Sequence, residues 1–149
     1  MSRLLVSSLL ALLTLTACNG VVEDTRPGQP VKHRQDAFKA MLRSFEPMGV
    51  MLREKQYNAD KFAPLAAELV ARRDAPWTYF TADTLYPPTK AKAEVWSRAD
   101  AFEGERQLFF TATDALLAAA GTGDLAQVQA AYDKVYDSCK SCHRDFKVK

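Results

Sequence analysis

The sequence predicts an all-α protein, an antiparallel four-helix bundle, on three observations. Apolar residues recur in alternating steps of three and four over long stretches, the spacing of one helical face. No segment of any length alternates apolar and polar residues as a half-buried strand does. The 149 residues, 48% of them hydrophobic, suit a single domain around one core.

The first helix carries Val31, Arg34, Phe38, Met41, Phe45, Met48 and Leu52 on one face, with Pro47 expected to kink or interrupt it. A second covers 59–73, with Phe62, Leu65, Ala66 and Leu69 inward. "DAPWTYFTADTLYPPTK" then breaks the pattern with three prolines and many turn formers. Trp77, Tyr79, Phe80 and Tyr86 make it unlike a solvated linker, so it is expected to be ordered and packed. The third helix is expected over 90–120, with Val95, Ala99, Phe102, Phe109 and Leu116 on one side. "GTGD" ends it, and Asp124 with Gln127 three residues on makes a capping-box-like start for the fourth. That helix places Leu125, Val128, Tyr132, Val135, Cys139, Cys142 and Phe146 on its seam.

Two stretches of the chain lie outside this bundle. Residues 1–17 have one early positive charge, Arg3, and an apolar run over 4–15 that is too short and too early for a stable membrane span. They read as a secretory signal. Leu15, Thr16, Ala17 and Cys18 resemble the lipobox of bacterial lipoproteins, which implies cleavage before Cys18 and a diacylglycerol on its sulfur. Ordinary cleavage at nearby small residues would instead leave Cys18 an exported free thiol. Residues 18–29, polar with Gly and Pro, then form a lipidated flexible tether, and 30–149 the bundle. The expected location is the periplasm, with the chain lipid-anchored to a bacterial membrane, the outer one. A formal charge of +2 with no run of Lys and Arg excludes a nucleic-acid binder.

"DSCKSCHRDFKVK" carries the chemistry. Cys139, Cys142 and His143 have the C-x-x-C-H spacing of c-type haem attachment, in which two thiols bond the vinyl groups and the imidazole ligates iron. Both cysteines fall on the core seam, and His143, four residues after Cys139, lies about 40° around the helix from it, so all three can face one object. A zinc site would need about four ligands, and His33 is the one other histidine. A thioredoxin-like pair belongs at a helix start after a strand, not in the last turns of a helix. Lipid on Cys18 and haem on Cys139 and Cys142 use every sulfur, whereas a Cys139–Cys142 disulfide would leave Cys18 odd.

The late position of this motif, together with "VKHRQDAFKAM", "APWTYF", "EVWSRADAF" and "SCKSCHRDFK", resembles the cytochromes c′ of the class II c-type cytochromes over about 31–149. The resemblance implies a four-helix bundle with covalently attached haem: one haem c per chain, held by two thioethers, with His143 as axial iron ligand. It implies that the other face of the iron has no strong protein ligand, that Phe38 covers it, and that Arg34 lies near a propionate. Arg34 on the inward seam calls for an anionic partner in its own right, unless it snorkels out to solvent. Trp77, Phe80 and Trp96 match aromatic positions of the family and would wall the pocket. Lys147 stands where many members have arginine.

Nitric oxide and carbon monoxide are the ligands so implied, with protection against nitric oxide as the role. Dioxygen is favoured by a hydrogen-bond donor, and Phe38 offers none. No catalytic residue is implied, and a homodimer through the first two helices is. The alternative is a six-coordinate periplasmic electron-transfer cytochrome of the same class, with Met41 or another residue at the sixth position. No methionine follows His143, which disfavours a downstream Met ligand. Lys140, Arg144, Lys147 and Lys149 make the motif's surroundings basic, either a solvated face or one that attracts an acidic redox partner of unknown identity.

Overall fold

The computed structural model describes residues 22–149; the signal segment, Cys18 and the start of the tether lie outside the described residues. The helices are α1 (Pro30–Arg53), α2 (Ala59–Arg72), α3 (Glu94–Ser97), α4 (Ala99–Thr122) and α5 (Leu125–Phe146), with a 3-10 turn at Trp77–Tyr79. Among the described residues there is no strand, and one isolated bridge joins Ala91 to Lys147. The four long helices form the predicted bundle.

Local chemistry sets most of the helix ends. Asn58 caps α2 by accepting from the Lys61 amide, and Asp124 caps α5 by accepting from Ala126 and Gln127. The Gln127 side chain donates to the Asp124 carboxylate, so the reciprocal half of a capping box is replaced by a side-chain bond. Gly123, at φ 70°, closes α4 in the left-handed conformation that glycine adopts without strain.

The structure departs from the expected helices in two places. α1 runs unbroken through Pro47. Pro47 and Arg43, whose carbonyl loses its helical donor, are both exposed, so water can serve that carbonyl. The third helix does not begin at 90. Residues 90–92 pair with the chain end instead, Lys92 N donating to Phe146 O and Val148 N to Lys90 O. A short α3 follows, and Arg98 (φ −125°, ψ 49°) separates it from α4.

The N-terminal segment is tied down by one buried carboxylate. Asp24 is 2% exposed and accepts from the amides of Arg26, Val31 and Lys32 and from the Tyr86 hydroxyl. It therefore caps α1 from outside the helix, where Gln29 at the N-cap position makes no side-chain cap. Burial alone would raise its pKa, but these hydrogen bonds outweigh it and hold the carboxyl below its ordinary value of 3.8.

The helices run up, down, up, down. Gly123, at the end of α4, approaches Ala59 at the start of α2, and Arg73, at the end of α2, reaches Phe110 O, Thr113 and Asp114. Close backbone packing joins α1 to α2, α2 to α4 and α4 to α5. The fourth side, α1 against α5, has no comparable packing. It is closed locally by Phe45 and Tyr132, stacked at 4.4 Å and 9°. Gly49 makes room for that stack: a Cβ there would collide with the Tyr132 hydroxyl. Gly49→Ala should therefore destabilise the fold by about 1–3 kcal/mol, the usual cost of overpacking, and by less in a Tyr132→Phe background. Denaturant unfolding of the single and double variants measures both effects.

Candidate haem site

The Phe45–Tyr132 stack fixes the register of everything below it. α1 and α5 run antiparallel, so descending the bundle lowers the residue number on α1 and raises it on α5. Phe38 lies seven residues before Phe45, and Cys139 seven after Tyr132. Both therefore sit about 10 Å below the stack, level with each other across the unfilled side. By the same count of eleven residues, Arg34 is level with His143. The residues singled out from the sequence on two distant helices thus stand at matching levels on the same side of the bundle.

Its walls are apolar and partly open. Phe38, Cys139 and Cys142 are half-buried, whereas Met48, Val128 and Val135 above them are fully buried. Phe38 meets Trp77 edge-on at 5.6 Å and Phe80 at 6.3 Å. Phe80 meets Phe102 at 5.0 Å, and Phe102 meets Phe146 at 5.2 Å, completing an aromatic path from α1 to α5. The Trp77 indole is held by donation to Arg73 O at 2.6 Å. Trp96 sits further out on α3 and donates to the carbonyls of Phe80 and Thr81, so it props the loop that carries Phe80. Trp77, Phe80, Trp96 and Phe102 also line a cleft of about 580 Å³ on the α3–α4 side.

Arg34 does not snorkel. It is 3% exposed, and its guanidinium donates to Tyr79 O, to Thr84 Oγ1 and O, and to Thr89 Oγ1, while lying 4.3 Å over the Phe80 ring. All four acceptors are neutral, and among the described residues no carboxylate pairs with it. Burial lowers its pKa, with Tyr86 and Asp24 partly compensating. The cation thus fastens the aromatic loop to α1 with no carboxylate paired directly to it. His33, its neighbour, is exposed and stacks on Tyr79 at 5.5 Å. Met41 is 6% exposed within the core.

The two cysteines are free thiols. Burial pushes the Cys139 thiol up to about 11. Burial, followed by the nearby carboxylate of Glu105, pushes Cys142 up to about 12. Both stand as neutral thiols in an apolar wall, the opposite of an activated redox pair. Among the described residues no three His, Cys, Asp or Glu side chains gather as a metal-binding cluster, so the zinc-type donor set is not assembled. His143 is exposed in the last turn of α5. Partial desolvation and then Lys147 lower its pKa, which favours the neutral imidazole that a metal requires. Two thiols and an imidazole beside an aromatic wall, with a buried arginine at the same level that has no directly paired carboxylate, fit a flat, apolar, carboxylate-bearing haem.

Sequence reasoning missed two contributors. Phe102 had a place on a helix face but no role, yet its ring joins the loop aromatics to Phe146. Glu105 accepts from Ser141 Oγ at 2.8 Å, between the two cysteines, and its other oxygen is buried without a partner. The spacing Phe102, Glu105, Phe109 on the α4 seam was the available signal for both. The Arg34 clasp generates a test. Arg34→Ala should cost about 2–3 kcal/mol, since it leaves buried acceptors unpaired. It should also speed hydrogen exchange across 77–89, and Arg34→Lys should not restore protection, because one ammonium cannot span acceptors on three residues.

The sequence matches the Cytochrome C' family over residues 29–147. It is 34% identical to the cytochrome c' of Cereibacter sphaeroides, covering 100% of this chain and 99% of that one. It is 36% identical to that of Rubrivivax gelatinosus, covering 83% and 98%. Solved structures of cytochrome c prime from Alcaligenes xylosoxidans, one variant in complex with nitric oxide and one with carbon monoxide bound, superpose with TM-scores of 0.77 at 32% identity. They cover 85% of this chain, and 99% and 100% of their own. Proteins of the matched family carry covalently bound c-type haem. With the bundle, the late C-x-x-C-H motif and near full-length similarity in agreement, this chain belongs to the cytochrome c′ family.

Proposed function

We propose that this chain holds one haem c through thioethers at Cys139 and Cys142, with His143 as axial ligand and five-coordinate iron. It binds nitric oxide and carbon monoxide on the face covered by Phe38, and serves to protect its compartment against nitric oxide. The observation that carries this reading is the register of α1 against α5, which sets Phe38 level with Cys139 and leaves the side between them without close helix packing. When bound, the haem supplies a coordination position for a diatomic gas and a one-electron redox couple.

The residues of the chain do the rest. Phe38, propped by Trp77 and Phe80, presents a bulky ring with no hydrogen-bond donor, which favours ligands that need none. The aromatic path through Phe102 and Phe146 excludes water from the same side. Arg34 supplies a fixed, buried positive charge for a propionate. Met41, the candidate sixth ligand, is packed into the core with Phe45 and Met48, which supports the five-coordinate reading over the six-coordinate electron carrier. The same reading sets the protein in the periplasm, anchored at the outer membrane by lipid on Cys18. It also pairs the protein with a second copy through α1 and α2, where Leu42 and Val50 stand exposed.

Phe38→Ala tests the role of the ring. It should raise the rate of carbon monoxide binding to the reduced holoprotein by about tenfold or more, equivalent to about 1.4 kcal/mol off the barrier. An unchanged rate in flash-photolysis or stopped-flow mixing would place the guard elsewhere.

A further inference from the structure

The tether and the basic end of the bundle belong to one surface. Asp24 anchors the incoming chain to Tyr86, and the Tyr86 carbonyl accepts from the Thr89 amide, one residue before Lys90. Lys90 and Lys92 flank Ala91, which bridges to Lys147, so the pairing of these two segments brings Lys90, Lys92, Lys147 and Lys149 together. Among the described residues none of the four lysines is paired with a carboxylate. Arg144 adjoins them, its carbonyl accepting from Lys92 Nζ, and its own charge is shared with Asp145. Three apolar side chains stand exposed at this same end: Val22 at 61%, Leu85 at 48% and Val148 at 41%. Unpaired lysines interleaved with exposed aliphatics suit an anionic lipid surface, where the cations meet phosphates and the apolar groups enter the headgroup layer.

Chain length selects that occupant. Six residues lead from Cys18 to the buried Asp24, and fully extended they reach about 20 Å. α4 alone, at 24 residues, is about 36 Å long. A lipid on Cys18 therefore holds the Asp24 end of the bundle near the bilayer, and the lysines at that end turn proximity into contact.

We infer that the end of the bundle carrying Lys90, Lys92, Lys147 and Lys149 rests on an anionic phospholipid surface. The Asp24 clasp and the short lipidated segment hold it there. The inference rests on the lipoprotein reading of Cys18, and goes beyond it by assigning an orientation and a contact face.

Lysine acetylation by a water-soluble reagent, read residue by residue by mass spectrometry, tests it on the lipidated holoprotein in phosphatidylglycerol vesicles. Labelling of Lys90, Lys147 and Lys149 should fall by about threefold or more relative to detergent solution, while Lys55 and Lys61 at the opposite end stay unchanged. Protection should weaken with salt, and protection of the remaining Lys147 should disappear in Lys90→Glu/Lys149→Glu, whose visible spectrum should match the parent's. Equal labelling at both ends overturns the inference. So does protection that appears with an acidic soluble redox protein and not with vesicles. The mass of the mature N-terminal peptide checks the lipid separately. If Cys18 carries none, the anchoring reading fails, and flotation of that holoprotein with phosphatidylglycerol vesicles decides the surface alone. Salt-sensitive binding sustains the surface, and its absence overturns it.

Discussion

The Phe45–Tyr132 stack over Gly49 is the constraint on which the site depends. It is the contact that closes α1 against α5, and the approach is possible because position 49 has no side chain. Once these two helices are pinned there in antiparallel register, the levels of Phe38 against Cys139 and of Arg34 against His143 follow from helical rise. Above the stack the core is dense, with Met48, Leu116 and Val128 fully buried. Below it the seam opens into half-buried aromatics and thiols. A bundle packed equally along its length would have no room for a flat cofactor, and one unpinned at the top would have no fixed geometry across the opening.

The long loop between α2 and α3 supplies what the helices cannot. Four helical seams provide walls on two sides, but the aromatic side chains that cover the opening come from Trp77 and Phe80. Arg34 holds them in place through Tyr79, Thr84 and Thr89, and Asp24 reaches the same loop through Tyr86. Two buried charged groups thus order an irregular segment. Arg34 makes its hydrogen bonds to neutral acceptors and is only partly balanced by Asp24, so an anionic group placed near it would be favoured.

Much of this was legible in the sequence because helical periodicity survives without tertiary information. The α1 seam through Arg34, Phe38 and Met41 and the α5 seam through Tyr132, Cys139 and Cys142 both read directly. The C-x-x-C-H motif identified the cofactor class. What escaped depended on non-local pairing. The late start of the third helix follows from residues 90–92 pairing with the chain end, more than fifty residues away. Asp24 looked like one more polar residue of a tether, and became the remote cap of α1 because Tyr86 and three amides converge on it. Glu105 was one charge among many on α4 until the opposing helix placed Ser141 against it. Pro47 signalled a kink or break where the exposed face tolerates a missing hydrogen bond.

The central claim is that His143 ligates iron from α5 while α1 offers Phe38 rather than a ligand on the opposite face. The visible absorption spectrum of the purified ferric holoprotein addresses it most directly. The account predicts a high-spin spectrum of five-coordinate haem. A low-spin spectrum with a methionine-to-iron charge-transfer band would contradict it, since Met41 or another side chain would then occupy the position that Phe38 is proposed to keep vacant.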